Sequence, residues 1–94
     1  MPQHIYLSQN YPNPFNASTV IHLNIPETVQ LSITVYDILG RSVRHLLEGE
    51  SHPGEITLEW DGTDDAGRNL PSGIYFYRLE YEQGDETRKM VLLK

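Results

Sequence analysis

Thirteen carboxylates and four histidines are the groups through which this chain could do chemistry, and their spacing decides what each can do. Asp61, Thr63, Asp64, Asp65 and Asn69 crowd one Gly-rich stretch. Oxygen atoms at that density could approach the coordination number of calcium, but the spacing does not fit the calcium-loop pattern and no bidentate Glu closes the set. Asp and Asn side chains hydrogen-bond backbone two residues on, so turn formation and capping of backbone donors is the expected role. His4, His22, His45 and His52 fall on four separate segments without an HExxH pair, and are expected on exposed strands and turns. Ser72 lies in Leu70-Pro71-Ser72-Gly73, which is not a Gly-x-Ser-x-Gly elbow, so it reads as a turn residue. Glu55 and Glu59 share the outer side of one expected strand, with no cleft to raise one carboxyl pKa as glycoside hydrolysis requires. No catalytic residue, metal or cofactor is therefore expected, and the chain reads as a non-enzyme.

The elements that must position these residues are short strands. With 94 residues the chain has length for one domain, spanning 1–94, and one modest core. The charge of −6, with basic residues scattered, disfavours nucleic acid and anionic lipid. Zero cysteines exclude disulfides and thiolate chemistry. No apolar run approaches the about 20 residues of a membrane span, and no export signal is visible at the N-terminus. If the domain is exported, its signal is expected at the front of a longer parent chain.

Period-two alternation between turn residues recurs along the sequence, while helical spacing is nowhere sustained. It predicts strands over His4–Ser8, Thr19–Ile25, Val29–Asp37, Ser42–Glu48, Glu55–Asp61, Ile74–Glu82 and Glu86–Leu93. Ile21/Leu23/Ile25, Leu31/Ile33/Val35, Ile56/Leu58/Trp60 and Tyr75/Tyr77/Leu79 are the expected core rows, joined by Met90 and Leu92. Tyr81 falls on the same face as Tyr75 and Tyr77. Val43, Leu46 and Leu47 break alternation, which predicts a bulge or an irregular edge strand. Gly40 is expected in the left-handed region and Gln83-Gly84-Asp85 as a hairpin turn. Two prolines keep Gln9–Ala17 out of any ladder, although its aromatics suggest that it packs. No internal repeat and no low-complexity tract organises the chain. Seven strands with two opposed apolar faces predict an all-β, immunoglobulin-like antiparallel sandwich.

Several blocks then carry a family pattern: Leu7-Ser8-Gln9-Asn10-Tyr11-Pro12-Asn13-Pro14-Phe15-Asn16, Val35-Tyr36-Asp37-Ile38-Leu39-Gly40-Arg41, Trp60-Asp61-Gly62 with Gly67, Ser72-Gly73-Ile74-Tyr75-Phe76-Tyr77-Arg78-Leu79, and Lys89-Met90-Val91-Leu92-Leu93-Lys94. In order and spacing they resemble the type A C-terminal sorting domain of the type IX secretion system (the Por secretion tail) of Bacteroidetes-type bacteria. The resemblance implies a non-catalytic domain that directs an N-terminal cargo domain from the periplasm through an outer-membrane translocon. The cargo would reach the cell surface or the medium, with a sortase-like protease as second partner. It maps recognition onto Gly73, Tyr75, Lys89 and Lys94. The Trp-Asp-Gly and Gly-x-Tyr features also resemble the immunoglobulin-like domain of flagellar hook-capping proteins, which implies a structural role. A carbohydrate-binding or structural accessory module of a secreted enzyme is the rival reading. It predicts an exposed aromatic row drawn from Tyr6, Tyr11, Phe15, Tyr36 and Phe76. The terminal strand admits two readings at once, completing a sheet and serving as a tag recognised by edge addition or by its carboxylate.

Overall fold

Alternating side chains need a partner layer on one face only, and the chain meets this by stacking two antiparallel sheets. The computed structural model describes residues 4–93. Its seven strands are β1 (Tyr6–Leu7), β2 (Thr19–Ile25), β3 (Val29–Tyr36), β4 (Ser42–Ser51), β5 (Gly54–Trp60), β6 (Gly73–Tyr81) and β7 (Gly84–Leu92). One sheet has the order β1-β2-β5 and the other β4-β3-β6-β7. Among the described residues there is no helix. The architecture is the expected immunoglobulin-like β-sandwich.

The core rows on β2, β3 and β6 are buried as their alternation predicts, with Trp60, Met90, Leu92 and Phe15 closing the set. Rows on edge strands are less covered. Ile56 and Leu58 of β5, expected in the core, are half-buried, because β5 has a neighbour on one side only. Tyr81 is half-buried although β6 has a strand on each side, because it stands at the hairpin end of the sheet, opposite Gly84, which has no side chain to cover it. Thr34 departs in the other direction and is buried on the outward side of β3, where His45 and Arg78 stand opposite it on the two flanking strands.

Element ends moved more than element identities. The first strand pairs over Tyr6–Leu7 alone, shorter than His4–Ser8, since only those residues meet β2 in register. β4 runs past Glu48 to Ser51, because β3 keeps offering ladder partners down to Val29. The expected irregularity is there: the pairing skips Leu46 and Val43, giving two register shifts against β3. Glu82-Gln83 makes the last hairpin turn, and Gly84 already pairs with Tyr81 as the first residue of β7.

Both open sides of the sandwich are bridged by connecting chain. Gln9–Asn16 leaves β1, bonds Val20 of β2 through Tyr11, then crosses to the outer edge of β7. There Phe15 N–H donates to the Val91 carbonyl (3.0 Å) and Leu93 N–H donates to the Phe15 carbonyl (2.8 Å). On the opposite side the loop after β5 reaches β4, where Asp65 N–H donates to the Val43 carbonyl at 2.9 Å. Unpaired sheet edges invite association with other chains, and both crossings blunt one.

Candidate functional site

Gly73, Tyr75 and Lys89 lie on one hairpin. Gly73 pairs with Leu92, Tyr75 with Met90 and Phe76 with Lys89 across β6 and β7. Lys94 lies outside the described residues. The three do not form one surface. The Tyr75 ring is buried, edge-on to Trp60 with centroids 5.5 Å apart, while Lys89 is exposed on the outer face. The Tyr75 hydroxyl donates to the Pro71 carbonyl at 2.7 Å, bonding back to backbone just upstream as in the tyrosine corner of immunoglobulin-like sandwiches. Burial raises its pKa. Tyr75 therefore acts on this end of the molecule through packing. Gly73 begins β6 at φ +155, a backbone that favours glycine.

The Gln9–Asn16 block clasps the terminal strand with side chains too. Gln9 Nε2 donates to the Lys89 carbonyl at 2.7 Å and Asn13 Oδ1 accepts from Val91 N–H at 3.0 Å. Asn10, buried, donates to Thr19 Oγ1 (2.9 Å) and to the Pro12 carbonyl (3.2 Å), fixing the block to β2. Phe15 enters the core against Trp60, centroids 5.6 Å apart, while Tyr11 stays in water, so one of the block's two aromatics packs as expected. Tyr77 seals the underside: its hydroxyl donates to the Ser8 carbonyl at 2.7 Å, and burial pushes its pKa up to about 12. One consequence corrects the edge-addition half of the tag reading of the last strand. The outer edge of Lys89–Leu93 is already paired, so a partner cannot add a strand there without first displacing this block.

A five-residue repeat that the sequence reading lacked appears in the loops. Asp37-Ile38-Leu39-Gly40-Arg41 and Asp64-Asp65-Ala66-Gly67-Arg68 adopt one and the same turn. In the first, Asp37 Oδ1 accepts from Leu39 N–H (2.9 Å) and Arg41 N–H (3.0 Å), and Oδ2 takes Arg41 Nε (2.9 Å). In the second, Asp64 Oδ1 accepts from Ala66 N–H (3.0 Å) and Arg68 N–H (2.9 Å), and Oδ2 takes Arg68 Nε (3.1 Å). Gly40 and Gly67 both sit at φ +83, which confirms the left-handed position expected for Gly40. The backbone N–H of Arg41 and of Arg68 is the main cause holding the Asp37 and Asp64 carboxyls below their ordinary value. The repeated Asp-x-x-Gly-Arg spelling was the available signal.

The acidic loop is thus turn chemistry. Asp61 accepts from Thr63 N–H and, at 2.6 Å, from its hydroxyl, which holds the Asp61 carboxyl low. Trp60 Nε1 donates to the Thr63 carbonyl at 2.9 Å, tying the loop to the core. Asp65 accepts from His45 N–H (2.9 Å) and meets His45 Nδ1 at 2.7 Å. Among the described residues, no group of three His, Cys, Asp or Glu side chains is placed to hold a metal ion. All four histidines are exposed.

Between the two turns lies a groove of about 730 Å³, with Val43, Leu70 and Ile74 among its lining side chains. Ile38 and Leu39 stand at its edge, 68% and 73% exposed. On the far sheet, Tyr6 (63% exposed, opposite Asn24) and Tyr11 (78% exposed, opposite Val20) share the outer face.

The FlgD Ig-like domain family matches residues 13–85. Several solved structures share the fold, among them PorU, FlgD and PorZ. Dimeric latent PorU from Porphyromonas gingivalis superposes with a TM-score of 0.76 at 22% identity, over 99% of this chain and 10% of that one. FlgD from Xanthomonas campestris, a protein of hook capping in flagellar assembly, gives 0.61 at 22% identity over 95% of this chain and 67% of its own. PorZ, an essential surface component of the type IX secretion system of P. gingivalis, gives 0.58 at 19% identity over 96% and 11%. This chain spans about a tenth of the length of PorU and of PorZ. No curated protein sequence matches it.

Proposed function

This chain belongs to the FlgD Ig-like domain family, and we propose that within it the chain is a non-catalytic sorting domain of the type IX secretion system. In this reading it carries an N-terminal cargo domain through the outer-membrane translocon to the cell surface or the medium, with a sortase-like protease acting afterwards. The observation that carries the reading is the pairing of the chain's two signature ends. The Gln9–Asn16 block and the Lys89–Leu93 strand, far apart in sequence, form one hydrogen-bonded unit beside Gly73 and Tyr75. A signal read as a folded surface needs its parts held together in this way, and the superposition on PorU over 99% of this chain supports it.

The test is a reporter with an export signal fused ahead of the domain in a type IX-competent host. Deleting Lys89–Lys94 is a poor control, because it removes buried Met90 and Leu92 and is expected to destabilise the sandwich itself. Lys89→Ala combined with Lys94→Ala removes the two charges and leaves Met90 and Leu92 in place. We expect delivery with the wild-type domain and its loss with the double variant, the circular dichroism spectrum staying the same. Equal delivery without any domain sinks the proposal.

A glycan-binding reading has one observation in its favour, the exposed Tyr6 and Tyr11 on one sheet face. Aromatic faces stack on sugar rings, and affinity for a neutral oligosaccharide lost in Tyr6→Ala and Tyr11→Ala would favour it over sorting.

A further inference from the structure

We infer that the groove between the twin turns is a docking site for an extended, acidic protein segment bearing apolar side chains. The second turn shows what the frame itself demands. With Asp65 and Ala66 at its two central positions, the hydrogen bonds and the φ of +83 are the same as with Ile38 and Leu39. Turn geometry therefore does not call for two large aliphatic residues. The core does not either, since both stand mostly in water. Turn positions are ordinarily polar, and a rigid turn that holds two aliphatic side chains out beside an apolar groove has the form of a binding anchor. Val43, Leu70 and Ile74 continue that apolar surface into the groove.

Charge selects the occupant. Asp37 and Asp64 turn inward to their own backbone, with side chains 15% and 16% exposed, while Arg41 and Arg68 are 73% and 80% exposed. Each guanidinium meets its Asp through Nε, which leaves the outer nitrogens facing solvent. Asp65, the remaining carboxylate at the groove, faces His45 and Arg44 on β4. A protein of net charge −6 thus presents two guanidinium heads around an apolar surface. Carboxylates on a short partner segment complement these two heads locally, whereas a nucleic acid or an anionic bilayer would meet the −6 surface over a much wider footprint and is disfavoured. The inference goes beyond the sorting proposal and does not need it.

Three synthetic peptides sharing one Leu-Phe core, flanked by Glu, by Gln or by Lys, test this in amide NMR titrations of the 94-residue chain at low salt. The Glu-flanked peptide is expected to bind about three- to tenfold more tightly than the Lys-flanked one, a gap that salt narrows. Shifts should centre on Ile38, Leu39 and Ile74. Ile38→Ser with Leu39→Ser should abolish binding while leaving the rest of the spectrum in place, and Arg41→Gln with Arg68→Gln should erase the preference for Glu. Tyr6→Ser should bind as the parent does. No binding by any peptide, equal binding of the Glu and Lys versions, or shifts on the Tyr6 and Tyr11 face would each overturn the inference. Reporter export leaves this result untouched, so the two proposals fail separately.

Discussion

The turn at Asp37–Arg41 and the turn at Asp64–Arg68 share a backbone and a hydrogen-bond set, and the rest of the molecule holds them differently. The second is roped on three sides. Trp60 bonds the Thr63 carbonyl beneath it, Asp65 N–H pairs with Val43, and the Asp65 carboxylate caps His45 on the β4 edge. The first closes the β3–β4 hairpin, and its two central side chains project into water. One frame has been put to two uses, closing a side of the sandwich and displaying a surface. Asp, Gly and Arg set the shape in both, so the residues between them are free to differ.

Substitutions that separate the two turns can break this comparison. The largest effect is expected from Trp60→Ala, which empties a core position contacting Phe15 and Tyr75 and should cost about 3–5 kcal/mol in urea unfolding. Amides of Ala66 and Arg68 should lose hydrogen-exchange protection before that of Arg41, and equal loss would mean the second turn does not depend on its core anchor. Gly40→Ala and Gly67→Ala should each cost about 1 kcal/mol, since both glycines share φ +83 and neither has a neighbour in the way. A clear inequality in thermal melts would show that the frames are not equivalent.

Acid sharpens the comparison further. Asp37, Asp64 and Asp65 all have carboxyls held below 3.8, each chiefly by a backbone N–H, from Arg41, Arg68 and His45 respectively. A lowered folded-state pKa means stability that is fully present above the unfolded value and lost as pH falls through the lowered one. The amides of Leu39, Arg41, Ala66 and Arg68 should therefore titrate with midpoints under 3.8, and midpoints at or above it would remove these bonds from the account. The smallest effect is expected from Ile38→Ser, within about 0.5 kcal/mol of the parent, because an exposed side chain supports nothing beneath it. A larger loss would mark Ile38 as structural and weaken its role as an anchor.

Much of the fold was legible because alternation reports burial directly. Ile21, Leu23 and Ile25 read as inward and are inward; the break at Val43, Leu46 and Leu47 read as a bulge or an irregular edge strand, and two register shifts against β3 fall there. Residues at edges were harder. Ile56 and Leu58 alternate as cleanly as Ile21 and Leu23, yet they are half-buried, because alternation tells which face a residue takes and not whether a neighbouring strand covers it. The candidate site was legible in its parts. Gly73, Tyr75 and Lys89 share a hairpin as their blocks suggested, but the division between a buried Tyr75 and an exposed Lys89 depends on which side of β6 and β7 faces the other sheet.

The sequence by itself determined the strands, the turn chemistry of the acidic loop and the sandwich architecture, because these follow from local rules of backbone conformation and side-chain alternation. Tertiary structure alone decided that Gln9–Asn16 occupies the edge of the last strand, and that two turns 27 residues apart flank one groove. Those outcomes depend on which strands become neighbours across a closed sandwich. Long-range hydrogen bonds and packing fix that choice, and no short stretch of residues encodes it.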